Sequence, residues 1–159
     1  MCNKLNFEIN DINKAEIEIN IMNSNPSYNL VSKNKSTIKL QDIHSEYEES
    51  NKLNTTRLLI KQDDDYIGLV DYCLNNPSDN FPWISLFVIH KEFQGRGYSI
   101  EAYKEFEKLI RKKNKEKIRL AVHKENETGV RFWGKFGYTK FKEVLFEGKP
   151  HLCLEKELN

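Results

Sequence analysis

No stretch of the sequence approaches the roughly 20 consecutive apolar residues that a bilayer-spanning helix needs. The first ten residues mix Lys, Asn and Glu with Leu and Phe and hold no apolar run. Neither a secretory signal nor a membrane anchor is expected there, and the expected location is cytoplasmic, with no membrane partner. Cysteine is scarce: Cys2, Cys73 and Cys153 are odd in number and lack metal-ligand spacing, so free thiols packed as small hydrophobes are expected. Charge of one sign is lacking too. Against 25 Lys and Arg stand 24 Asp and Glu, a net charge of +1, which sets up no field to hold a polyanion, and nucleic acid is not an expected partner. The basic end of the clearest helix, Arg111, Lys112 and Lys113, reads as cations complementing a helix C-terminus. What remains is enough for a core. With 38% hydrophobic and 11% aromatic residues, a chain of 159 residues folds as one compact domain that buries roughly 70% of its unfolded surface.

Residues 1–54 form the less legible part, read as helical and variable. Ile12, Ala15, Ile19 and Met22 follow helical spacing after a capping Asp11, residues 23–35 read as a loop around Pro26, and Leu40, Ile43 and Tyr47 mark a second short helix. From Thr55 onward β-rich runs follow closely. Residues 57–61 and 66–74 read as a hairpin across Asp63, Asp64 and Asp65, and residues 83–89 as a strand apolar on both faces, which calls for helices on both sides of a sheet. Residues 99–113 carry Ile100, Tyr103, Phe106 and Ile110 on one helical stripe. A strand at 117–123, a short helix at 126–136 ended by Gly137, and a hairpin of 138–146 with 150–157 complete the pattern.

Chemistry concentrates at Phe93-Gln94-Gly95-Arg96-Gly97-Tyr98-Ser99, between the two-sided strand and the best helix. Two glycines allow a tight turn whose peptide N–H groups point outward together with the free amides of the helix's first turn, and Arg96 adds a cation at the rim. Such a loop cradles phosphate. The fingerprints of simple nucleotide sites are missing: no Lys-Ser or Lys-Thr pair follows the second glycine, and no third glycine stands at dinucleotide-binding spacing. A second segment downstream, Asn126, Gly129, Phe132, Trp133, Lys135, Gly137 and Tyr138, lies one strand further on.

These two linked segments resemble the GNAT superfamily of acetyl-CoA-dependent N-acetyltransferases. The resemblance covers residues 55–158 and implies an α/β fold with a mixed, mostly antiparallel central sheet that splays between two parallel strands, helices lying on both faces. It implies that backbone groups of Phe87, Val88 and Ile89 pair with the pantetheine arm of acetyl-CoA, and that Gln94, Gly95, Arg96, Gly97, Tyr98 and Ser99 form the pyrophosphate loop. Asn126 would contact the arm and Trp133 would pack along it, with no metal required.

Transfer from a thioester to an amine needs a base for the amine proton and donors for the oxyanion. Where many members carry a Glu on the central strand this chain has Ser85, and where many carry a Tyr it has Trp133. The candidates left are Asp71 on the preceding strand, His123 at the end of the next, with an imidazole's intrinsic pKa range, and Ser85 holding a water. Tyr28, Tyr47, Tyr72 and Trp83 are candidates for an aromatic acceptor wall. The expected activity is acetyl transfer to a small-molecule amine or amino acid, by a monomer or homodimer. Protein or peptide N-acetylation and a non-catalytic acyl-CoA sensor are the alternatives.

Overall fold

The computed structural model describes residues 5–158, so Cys2 lies outside the described residues. The chain runs β1 (Leu5–Ile9), a 3-10 turn (Ile12–Lys14), α1 (Ala15–Asn23), α2 (Pro26–Lys33), α3 (Leu40–Leu53), β2 (Thr55–Gln62), β3 (Asp65–Cys73) and β4 (Trp83–Ile89). A short 3-10 turn (Lys91–Phe93) leads into α4 (Tyr98–Arg111), then β5 (Lys117–His123), α5 (Glu127–Lys135), β6 (Thr139–Phe146) and β7 (Lys149–Glu157). Seven strands form one sheet in the order β1-β2-β3-β4-β5-β7-β6. Every neighbouring pair is antiparallel except β4 and β5.

Two apolar layers cover the sheet. On one side the α4 stripe of Ala102, Tyr103, Phe106 and Ile110 packs with Leu58, Val70, Ile84, Leu120 and the α5 residue Trp133. On the other, Ala15, Ile21 and Met22 of α1 and Ile43 of α3 pack on Leu59, Leu69 and Val88. Burying both faces explains why residues 83–89 carry no polar/apolar alternation.

The expected loop at residues 23–35 is instead mostly helix α2. Pro26 stands in its first turn, where a missing N–H costs nothing and a fixed φ favours entry, and Asn34 ends it at φ 63°. The second helix is longer than its apolar spacing suggested, with Asp42 Oδ2 accepting from the Lys39 N–H at 2.8 Å at its start and Asn54 at φ 55° at its end. Strand β1, absent from the sequence reading, pairs with β2 at the sheet edge, Leu5 opposite Gln62 and Ile9 opposite Leu58.

The feature that positions the site lies at the sheet's centre. Strands β4 and β5 pair only at Trp83 with Arg119 and Ile84 with Leu120. On the other edge of β4 the register with β3 slips: Tyr72 faces Ile84 and Asp71 faces Leu86, leaving Ser85 as an extra residue. A bulge of this kind bends its strand, and here β4 and β5 part directly after it.

Candidate active site

The parted strands open a cavity of about 780 Å³. One wall is β4 from Ile84 to Ile89, the facing wall is β5 from Leu120 to His123, and beyond the sheet the cavity is bounded by α2 and by the start of α5. Each strand keeps its outer partner, β3 or β7, so the peptide groups on the two inner edges face the opening. An extended ligand arm can pair with such an edge as an added strand does.

At one end of the cavity stands the loop before α4. Gly95 and Gly97 adopt φ of 77° and 86°, the left-handed region, and a Cβ at either would meet no atom within 4 Å. The glycines are thus required for backbone shape, not by crowding. Gly97 caps α4, whose first-turn amides have no partners within the helix. The side chain of Gln94 turns away from the loop, and its Nε2 donates to Asn25 Oδ1 at 2.7 Å and to the Ile89 carbonyl at 2.8 Å. Asn25 Nδ2 donates to the same carbonyl at 3.1 Å, and the Lys91 N–H donates to Ser24 Oγ at 3.0 Å. The α1–α2 corner is therefore fastened to the glycine-containing loop before α4.

On the α5 side, Asn126 Oδ1 accepts from the Gly129 N–H at 3.0 Å and caps the helix. A Cβ on Gly129 would sit 2.6 Å from Asn126 Nδ2, so only glycine leaves that amide in place. Trp133 is buried in an aromatic cluster, its ring edge-on to Phe87 at 5.6 Å, Tyr103 at 5.4 Å and Tyr138 at 5.3 Å, while Phe132 stacks on Phe87 at 5.9 Å. Core packing and cavity lining are both true of Trp133.

Of the residues singled out in the sequence, Ser85, Phe87, Val88, Ile89, Gln94, Gly95, Ser99, His123, Asn126 and Trp133 come together on the cavity wall. Arg96, Gly97, Tyr98 and Asp71 do not. Arg96 Nη2 donates back to the Glu92 carbonyl at 2.5 Å with its guanidinium 5.3 Å from the Phe93 ring, and Tyr98 packs edge-on to Phe93 at 5.8 Å. Asp71, the candidate base on β3, is instead buried in a charged cluster. Its Oδ2 accepts from Arg57 Nε at 3.1 Å, and Arg57 Nη2 reaches Glu18 Oε2 at 2.6 Å. This buried cluster lies under α1 and α3. Burial pushes Asp71 up to about 6 and Glu18 up to about 7, with Arg57 opposing both.

Of the expected aromatic wall only Tyr28 lines the cavity. Tyr72 is buried against Phe106, Tyr47 donates to Asn10 Oδ1 at 2.8 Å, and Trp83 Nε1 donates to Asp79 at 2.8 Å. The residues the sequence did not offer are those of α2, Val31 and Ser32 beside Tyr28, and Asn25 at its entry. Pro26 directly after Asn25 was the available signal for a helix start there.

His123 occupies the far end of the β5 wall. Burial lowers its pKa below the ordinary imidazole value, His151 and Lys149 act in the same direction, and Glu125 and Glu147 oppose them. A neutral ring at neutral pH follows. The Ser85 hydroxyl donates to the Asp71 carbonyl at 3.2 Å, so its lone pairs remain to accept.

The model of the Acetyltransferase (GNAT) family matches residues 23–138, which carries the likeness back into α2, well before Thr55. Among solved structures, an acetyltransferase of Thermus thermophilus superposes with a TM-score of 0.79 at 18% identity, covering 96% of each chain. Spermidine N-acetyltransferase of Vibrio cholerae, in complex with CoA and spermine, gives 0.75 at 16% identity over 97% of this chain and 95% of that one. PaiA N-acetyltransferase of Thermoplasma acidophilum, in complex with coenzyme A, gives 0.68 at 16% identity over 97% and 99%. No curated protein sequence matches the chain.

Proposed function

Because the chain belongs to the GNAT family of acetyltransferases, we propose that it transfers the acetyl group of acetyl-CoA to a primary amine of a small molecule or amino acid by direct attack within the β4–β5 cleft. The observation that carries this reading is the parting of β4 from β5 after Ile84 and Leu120, which opens a cavity from the phosphate loop to α2. The two ends suit the two reactants: amides at the start of α4 for a pyrophosphate, and the α2 wall for an acceptor.

Acetyl-CoA supplies the activated acyl group as a thioester. Within Phe87, Val88 and Ile89 the peptide groups on the inner edge pair with the pantetheine arm, the Ile89 carbonyl being held already by Gln94 and Asn25. Gly95, Arg96, Gly97, Tyr98 and Ser99 offer peptide N–H groups to the pyrophosphate, aided by the positive end of α4. Asn126 fixes the arm from the β5 side. Trp133, Phe132 and Phe87 keep water from the reacting end, and holding both reactants in one dry cleft supplies much of the rate. An inner-edge N–H of β4 stabilises the developing oxyanion.

His123 takes the amine proton. Its depressed pKa leaves it unprotonated at neutral pH, as a base must be. Ser85, whose hydroxyl proton is committed to Asp71, accepts a hydrogen bond from the acceptor amine or a bridging water. Asp71, held by Arg57 away from the cavity wall, plays no part in proton removal.

Among the described residues, no carboxylate lies on the α2 or β4 walls, whereas Tyr28, Val31, Ser32 and Leu86 do. With Glu125 and Glu127 on the β5–α5 side of the same cavity, an amphipathic monoamine suits the lining, its apolar part towards α2 and its amine towards that side. Free-thiol release from acetyl-CoA, followed across a panel of primary amines, amino acids and peptides, tests the reading. Turnover with at least one small amine is expected, and saturable acetyl-CoA binding without thiol release for any acceptor would overturn it.

A further inference from the structure

His151 lies in neither of the two motif segments and off the cavity wall, yet the sheet sets it opposite His123. The two rings lie in contact, centroids 4.0 Å apart and planes tilted by 46°, with His151 buried and His123 at the cavity surface. The Nδ1 of His151 lies 3.0 Å from the Lys149 carbonyl oxygen. A carbonyl can only accept, so Nδ1 carries the proton and the ring is fixed in tautomer and orientation. Lys149 is itself fastened, its Nζ donating to the Val31 carbonyl of α2 at 3.0 Å. The Phe146 ring lies edge-on to His151 at 5.8 Å. A continuous set of contacts thus runs from the acceptor wall through the start of β7 to the base.

We propose that His151 is a positioning residue: a fixed aromatic platform that holds the His123 ring at the cavity wall in its neutral, proton-accepting form. The proposal rests on the reading of His123 as the base. The groups facing His123 are His151 and Lys149 of β7, Glu147 of the turn and Glu125 after β5. Protonating His123 would set a second cation beside Lys149 over a buried ring, a cost that the two exposed glutamates only partly offset.

The test uses the full chain with His151→Ala and His151→Phe, comparing the pH dependence of turnover with the NMR titration of the His123 Cε1 proton. With alanine, kcat is expected to fall about ten- to a hundredfold at unchanged KM for acetyl-CoA. The His123 titration and the acid limb of the rate profile then both move up toward the ordinary imidazole value. With phenylalanine, which keeps an aromatic ring against His123, most of the lost kcat returns. His151→Gln keeps a donor for the Lys149 carbonyl without a ring and replaces the alanine variant if that fails to fold. A lower melting temperature with unmoved titration and unmoved kcat would overturn the proposal, since plain packing predicts that pattern. Full turnover in His123→Gln would instead overturn the base assignment. The titration, which needs no turnover, reads the platform separately.

Discussion

Gln94 and Asn25, 69 residues apart in sequence, meet at 2.7 Å, and both donate to the single carbonyl of Ile89 at the end of β4. This contact joins the loop before α4, proposed to hold the pyrophosphate, to α2, proposed to face the acceptor. A change at either residue is therefore felt at both ends of the cleft.

Replacing Asn25 with alanine removes the acceptor of the Gln94 amide and one donor to Ile89. Each lost hydrogen bond costs about 1 kcal/mol. Acetyl-CoA affinity and acceptor KM are both expected to worsen, by about five- to tenfold. Calorimetry with acetyl-CoA and steady-state kinetics measure the two effects, and a change in only one of them would show that the corner is not shared.

Gly97→Glu places a side chain at φ 86°, a conformation that disfavours it by about 1–2 kcal/mol, and sets a carboxylate beside the proposed phosphate cradle. A Kd for acetyl-CoA raised about a hundredfold or more is expected, with the fold retained by circular dichroism. Unchanged affinity would remove the loop from the site.

Gly129→Ala tests the second motif by a different route. The new methyl would lie 2.6 Å from Asn126 Nδ2, so the Asn126 side chain must leave its place as cap. Loss of a cap costs about 1 kcal/mol. A drop in melting temperature together with weaker acetyl-CoA binding is expected, and the Asn126→Ala variant should reproduce both.

The buried cluster of Arg57, Glu18 and Asp71 gives a pH-dependent prediction. Both carboxyls titrate higher in the folded chain, about 7 and about 6, than in the unfolded one, so the folded state binds more protons in that window. Their contribution to stability is complete below the unfolded carboxylate range and is lost as pH rises through about 6 to 7. Arg57→Leu leaves two buried carboxylates without their cation, Glu18 keeping only the Asn10 amide, and is expected to destabilise by about 3–5 kcal/mol at pH 8. The loss should be smaller at pH 5, where the carboxyls take up protons. Urea denaturation at the two pH values checks this, and an equal loss at both would contradict it.

The sequence disclosed most where local backbone geometry restricts residue choice. Gly95 and Gly97 at positive φ, the α4 stripe and the Asn126 to Tyr138 segment were readable because few residue types satisfy those positions. It disclosed least where tertiary context decides. Residues 23–35 look like a loop by composition, yet Pro26 and Asn34 are the start and stop of a helix. Asp71 could not be placed, because the bulge at Ser85 and the distant Arg57 together determine its surroundings. His151 carries no local signal; only the pairing of β5 with β7 sets it against His123. Strand β1, five residues at the sheet edge, was too short to declare itself.

Calorimetric titration of the protein with acetyl-CoA at several temperatures tests the central claim, that the cleft between β4 and β5 receives this thioester. Saturable binding is expected, with an enthalpy growing more negative on warming as the apolar walls of Phe87 and Trp133 are covered. Absence of heat at every temperature, with the protein folded, would contradict it.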